Sequence, residues 1–352
     1  MDQPITNVPE SNRPAFVSLG MFLLDEIRFP DGNKVVDVPG GSGLYATLGA
    51  RLFKPGSTAV DVGCIILAGY DLPESTVRFL ESWQITLLLI RDVDKPCTRG
   101  LLQYEDDGSG RNTFTYVTTP LRPSATHLAA SSLLFATSFQ FLAVPEDLEK
   151  QVSTLFRLRE EQGIADRPLI VWEPAPLGCS SANLASHLKA CALVDVFSPN
   201  RVELSYLIGE KTKTKGDFSP SIIEAQARKF VEAGIGPNGN GLAVIRSGEH
   251  GVLLLSNNMQ AEWLPTYHEK GASQVVDPTG AGNTFLGAFA VALQETRDPR
   301  EAGLRANVAA SYAIEQFGPP KLTQASESSG ELWNSSEVMS RLQNLKSRIS
   351  KA

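Results

Sequence analysis

Cysteine is scarce and unpatterned. Cys64, Cys97, Cys179 and Cys191 are the only 4 in 352 residues. None stands in a C-x-x-C spacing, which excludes a zinc ribbon and a dense disulfide framework and leaves reduced, mostly buried thiols as the expectation. Histidine is equally sparse: His127, His187, His250 and His268 lack a metal-ligand spacing and read as single surface or loop side chains. No run of about 18 apolar residues occurs, so a membrane-spanning helix is excluded. Positive charge is short too, with 32 Lys and Arg against 39 Asp and Glu and a net charge of -7. That balance argues against a nucleic-acid binder while leaving room for a local basic site. The first stretch, Met1–Pro14, has neither the basic nor the apolar region of a secretory signal. A cytoplasmic setting is therefore expected. What is abundant is apolar side chain, 42% of the sequence, enough for one large domain or two small ones.

The apolar residues are arranged in strand and helix periods that alternate. A short run at 16–20 ends in glycine, and the segment 27–38 folds back around Pro30-Asp31-Gly32-Asn33 as a hairpin. After Gly40-Gly41-Ser42-Gly43, residues Leu44, Leu48 and Leu52 share a helical face. The nearly unbroken apolar run 60–67 reads as a strand buried on both faces, followed by a helix carrying Val77, Phe79 and Leu80. A second hairpin flanks Asp106-Asp107-Gly108-Ser109-Gly110, and the two hairpins are expected to share one small accessory sheet. Further on, strands are predicted at 133–136, 169–172 and 194–197. Helices bearing Leu148 and Val152, then Leu184 and Leu188, then one from Arg201 come between and after them. This is the pattern of a parallel sheet covered by helices. The serine-rich stretch 324–330 reads as a linker. It precedes a helix capped by Ser335 or Ser336, with Val338, Leu342, Leu345 and Ile349 on one stripe. That helix either docks on its own domain or binds a partner.

Chemistry concentrates in Val275-Val276-Asp277-Pro278-Thr279-Gly280-Ala281-Gly282-Asn283, which leads into an apolar helix. Residues 280–282 can present several backbone N–H groups at a helix N-terminus, where unpaired amides and the helix dipole hold an anion such as phosphate. A glycine loop that only turns a strand into a helix has the same spacing, so both readings stay open here. The G-x-G-x-x-G dinucleotide pattern is absent, because Gly287 falls too late.

This run resembles the second signature of the ribokinase-like, or PfkB-type, carbohydrate kinases, and other matches follow in the family's order. Gly20 and Asp25 resemble its first strand and loop, Gly40-Gly41 its sugar-binding glycine pair, and Asn200-Arg201-Val202-Glu203 its N-x-x-E element. The loop from Arg246 through Ser247, Gly248 and His250 to Gly251 resembles the one along the nucleotide; the helix containing Ala309 resembles the one beside adenine. The resemblance spans about residues 16–320. It implies a three-layer α/β fold with a mainly parallel central sheet flanked by helices. A β lid would come from about 27–38 and 97–118, on a kinase domain of residues 1–322 followed by a linker and helix at 323–352.

The activity implied is ATP- and Mg²⁺-dependent phosphotransfer to a hydroxyl of a sugar, polyol or nucleoside. Gly280, Ala281 and Gly282 would form the anion hole; Asp25, Gly40, Gly41, Tyr45, Arg111 and Asp277 would meet the substrate. Asn200, Glu203, Arg246, Ser247, Gly248, Gly251 and Ala309 would meet the nucleotide, with Asn200 and Glu203 reaching the metal through water. A homodimer through the lid is the implied assembly. Three positions depart from the family pattern. Asn283 stands where the family has its catalytic Asp, and a neutral amide is no general base. Tyr45 lies near a usual Asn, and Glu173-Pro174 replaces an Asp-containing element. Asn283 with the Asp-Pro-Thr opening resembles most the fungal maintenance-of-killer-type branch. The resemblance thus implies a phosphotransferase impaired at the base, the alternative being a non-catalytic nucleotide- or ligand-binding pseudokinase that acts through protein partners. If only the base is missing, Asn283→Asp should raise turnover. If the site is rebuilt around the amide, the same change should lower it.

Overall fold

The computed structural model describes residues 13–105, 112–210, 218–324 and 330–351. The chain first lays down β1 (Phe16–Ser18), β2 (Leu23–Arg28), β3 (Lys34–Gly40), α1 (Ser42–Leu52), β4 (Val62–Ala68), α2 (Glu74–Glu81) and β5 (Thr86–Arg91). Next come β6 (Arg99–Tyr104), β7 (Asn112–Tyr116), β8 (Ser138–Ala143), α3 (Pro145–Glu161), β9 (Leu169–Pro174), α4 (Leu184–Cys191), β10 (Val196–Phe197) and α5 (Arg201–Ile208). The rest is α6 (Pro220–Ala233), β11 (Leu242–Arg246), β12 (Val252–Ser256), β13 (Met259–Leu264), α7 (Ala281–Thr296), α8 (Pro299–Ala313), β14 (Leu322–Gln324), β15 (Glu331–Trp333) and α9 (Val338–Ile349).

Nine strands form the central sheet in the order β13-β12-β11-β10-β9-β8-β1-β4-β5, parallel except at one edge, where β12 runs antiparallel to both β11 and β13. Alternation along each strand feeds two cores. Val62, Cys64 and Ile66 of β4 face one layer with α1, α7 and α8; Ile65 faces the other with α3 and α6. The two expected hairpins do form one accessory sheet, in the order β3-β2-β6-β7, with β2 and β6 parallel at its centre. All four cysteines are free and buried, and among the described residues no helix is long and apolar enough to cross a membrane.

Three expectations are corrected. The apolar run 133–136 is a 3-10 turn capped by the Ser131 hydroxyl, and the strand is β8, five residues later. Polar Ser138 and Gln140 are buried within β8, which hides its strand period. The last helix is not capped by serine: Glu337 is its N-cap, Ser335 is left-handed, and Ser336 pairs back with Trp333. His187 is a core residue, with 0% exposure and its ring stacked 5.5 Å from Trp172.

Helix α9 packs on α8 and buries Val338, Leu342 and Leu345, and β14 crosses the 322/323 position. Glu331 of β15 forms a bidentate pair with the buried Arg51, so this C-terminal segment is tied to the first core layer. In that layer α1 and α7 touch backbone to backbone. A Cβ on Gly49 would lie 1.8 Å from Thr284 O, and one on Gly287 would lie 1.7 Å from Ala46 O. This close approach locks the helix after Gly41 to the helix after the glycine loop.

Candidate active site

The glycine loop sits where the sequence places it. Gly280, with φ of 80°, is the N-cap of α7, and Gly280, Ala281, Gly282 and Asn283 are half-buried. Ala281 N–H donates to Pro278 O at 3.3 Å. Among the described residues the N–H groups of Gly280, Gly282 and Asn283 have no acceptor. Three orphan amides at the positive end of a 16-residue helix are what an anion needs.

Below the loop lies Tyr45 of α1, whose ring a Cβ on Gly280 would strike at 2.4 Å. Beside it are two carboxylates, Asp25 from β2 (6% exposed) and Asp277 (2% exposed). The Asp25 carboxylate is wedged between the lid glycines: a Cβ on Gly40 or Gly100 would come within 2.4 or 2.3 Å of its oxygens. Its Oδ1 is buried without a partner, whereas Asp277 Oδ1 accepts from Thr279 N–H. Burial first, then the Asp277 charge, pushes the Asp25 carboxyl up to about 7. The same two carboxylates add to burial in raising the Tyr45 hydroxyl above its ordinary value. Phe114 of β7 closes over Gly100 and packs edge-on against Tyr116 at 4.9 Å. Sequence reading missed this aromatic pair; the signal was two aromatics on alternate residues of a lid strand.

On the other side of the loop every charge is paired. Asn283 Nδ2 donates to Glu173 Oε2 at 2.5 Å, and Gln140 Nε2 donates to the same oxygen at 3.3 Å. Arg246 Nη1 pairs with Glu173 Oε1 at 2.8 Å; Nη2 donates to Ser198 O at 2.9 Å and lies 3.6 Å from Glu203 Oε2. Asn200 and Glu203 form the capping box of α5: Asn200 Oδ1 accepts from Val202 and Glu203 N–H, and Glu203 Oε2 accepts from Asn200 N–H. Burial pushes Glu203 up to about 7, against the pull of Arg246.

No three His, Cys, Asp or Glu side chains cluster as a metal cage among the described residues. Glu203 Oε1 carries no hydrogen bond among them. The set therefore fits a magnesium carried on nucleotide phosphates and reached through water, and does not fit a metal held by protein alone.

Of the other expected residues, Gly41 caps α1, and Gly248 and Gly251 shape the turn after β11. Ser247 is 1% exposed, and Ala309 is fully buried in α8. Arg111 lies outside the described residues. Arg99 is held by Asp37 at 2.6 Å and Asp71 at 2.9 Å.

A family model described as pfkB family carbohydrate kinase matches residues 17–324, and the chain belongs to that family. It is 33% identical over 360 residues to an uncharacterised protein of Schizosaccharomyces pombe, covering 97% of this chain and 94% of the relative. It is 28% identical over 339 residues to Protein MAK32 of Saccharomyces cerevisiae, covering 93% and 90%. Its fold resembles a putative ribokinase II of Escherichia coli solved with ATP and Mg²⁺, with a TM-score of 0.65 at 18% identity over 95% of this chain and 99% of that one. The resemblance read from the glycine signature, and from Asn283 within it, is borne out by these relatives.

Proposed function

We propose that the protein transfers the γ-phosphoryl group of ATP, with magnesium, to a hydroxyl of a sugar, polyol or nucleoside. The observation that carries this reading is that Tyr45 lies under Gly280 and beside Asp25, so an anion site and a buried, unsatisfied carboxylate share one wall. Asp25 accepts hydrogen bonds from the acceptor's hydroxyls, with Gly40, Gly41, Tyr45 and Asp277 around it. Gly280, Ala281, Gly282 and Asn283 hold the transferred group. The turn from Arg246 to Gly251 and helix α8 flank the nucleotide, and Glu203 and Asn200 reach the metal's waters. Magnesium, when bound, neutralises phosphate charge. The terminal P–O bond to ADP breaks and an ester bond to the acceptor oxygen forms. With an amide at position 283, the hydroxyl proton passes to an oxygen of the phosphoryl group.

A second reading, a binding protein without turnover, draws on the Asn283–Glu173 bond, which leaves no free carboxylate at the helix entry. A thermal-shift screen with Mg-ATP and a panel of sugars, polyols and nucleosides separates the cases. A ligand at 100 times its Kd adds about 2.7 kcal/mol of stability. A shift with product supports transfer, a shift without product supports the second reading, and no shift at millimolar Mg-ATP overturns both.

The lid also supports a homodimer. Val35, Val36 and Val117 are 46%, 51% and 63% exposed on or beside it. Sedimentation of wild type against Val36→Asp tests this, a lighter variant being the expected result. Four unpaired thiols suit a cytoplasmic setting.

A further inference from the structure

Arg246 ends β11, and its guanidinium lies over the glycine loop rather than out along the turn that follows. A Cβ on Gly282 would meet Arg246 Nη1 at 2.2 Å, so the cation rests on the middle of the segment whose amides are unpaired. Its side chain is 11% exposed, and its Nε is buried without an acceptor. The two donors nearest the loop, Arg246 Nη1 and Asn283 Nδ2, are both fastened to Glu173, one to each oxygen. Glu173 is in turn gripped by Gln140, which bonds Ser18 on the next strand. A guanidinium fixed in this way is a planar, permanently charged fork aimed at the anion position, and it needs no reorganisation when phosphate arrives.

We propose that Arg246 contacts the terminal phosphoryl group at the Gly282 loop and makes the site prefer a nucleoside triphosphate over a diphosphate, with Glu173 as the positioning residue that aims Arg246 and Asn283 together. This rests on the phosphotransfer reading above. It gives position 283 a reason to be an amide: Asn donates to Glu173, whereas Asp would set a second carboxylate against it and compete for Arg246.

The test is calorimetry with Mg-ATP and Mg-ADP on the full chain. Arg246→Lys keeps the charge and loses the fork. Arg246→Met with Glu173→Gln removes the closer buried pair together and leaves Glu203 as the one carboxyl that loses its cation. Wild type should bind Mg-ATP more tightly than Mg-ADP. Both variants should lose roughly 10-fold more affinity for ATP than for ADP, the size of one charge-assisted hydrogen bond. Glu173→Gln alone should lower the same ratio, and adding Arg246→Lys to it should cost little more, because the two act as a unit. An unchanged ratio in folded variants, or equal losses for ATP and ADP, overturns the role of Arg246. A wild type that binds neither nucleotide overturns the phosphotransfer reading itself.

Discussion

The two walls that flank the glycine loop are built on opposite electrostatic plans. On the lid side, Asp25 and Asp277 are buried side by side, and Asp25 Oδ1 has no partner. On the β11 side, Glu173 and Glu203 both face Arg246, and the amides of Asn283 and Gln140 take up the remaining oxygen of Glu173. An unsatisfied buried carboxylate costs stability until hydroxyl donors arrive, so the lid wall awaits a ligand. A paired guanidinium with spare donor capacity is already ordered, so the opposite wall is set before an anion binds. On the proposed function, one wall would select what enters and the other would hold a reacting group in place.

The largest expected effect comes from separating the walls. Gly287→Val forces side-chain atoms into the backbone of α1, where even a Cβ would sit 1.7 Å from Ala46 O. Overpacking typically costs about 1–3 kcal/mol and occasionally more; a bulky side chain here should exceed that range, read as a large drop in the denaturant midpoint. Next comes Asn283→Asp. With Glu173 accepting from the amide, the new carboxylate meets a like charge, and turnover on any accepted substrate should fall by about 10-fold or more. A rise would mean that the missing base alone limits the rate and would break the contrast between the walls.

A smaller effect tests the lid wall by pH. The Asp25 carboxyl is held up to about 7 by burial and Asp277. It is protonated below that pH and becomes a full acceptor above it. Acceptor KM should therefore fall as pH rises through about 7, and Asp277→Asn should move that midpoint lower. The sign for stability is opposite: a raised acid binds more protons folded than unfolded, so the ligand-free protein should lose stability between its ordinary 3.8 and about 7. Asp25→Asn should flatten that loss in a pH series of melts while weakening acceptor binding.

The smallest effect lies outside both walls. Burial opposes it, but hydrogen bonds from His268, Arg341 and Asn334 hold Glu315 at about 2, tying α8 to the C-terminal segment. Its contribution is present above the ordinary value of 4.5 and lost as pH falls toward 2. Glu315→Gln should make melting less acid-sensitive with little change in nucleotide binding.

Most of the fold and half of the site could be read from the sequence because their signals are local. Glycine, Asp and Asn at short spacing mark the loop at 280–283, and Asp25 and Gly40-Gly41 stand beside recognisable turns. What could not be read is long-range. Glu173 and Asn283 are 110 residues apart, and only the sheet brings the end of β9 to the start of α7. The same contact explains the misplaced strand. Gln140 of β8 is buried and polar and reaches Glu173, so a buried polar contact interrupts the apolar pattern that marks a strand.

Phosphorus NMR of the wild-type protein with Mg-ATP and the panel of sugars, polyols and nucleosides tests the glycine-loop site most directly. A new phosphomonoester signal growing in step with ADP, only when a hydroxylated acceptor is present, is the expected result. Mg-ATP bound at the site with neither phosphomonoester nor acceptor-dependent ADP across the panel would contradict it.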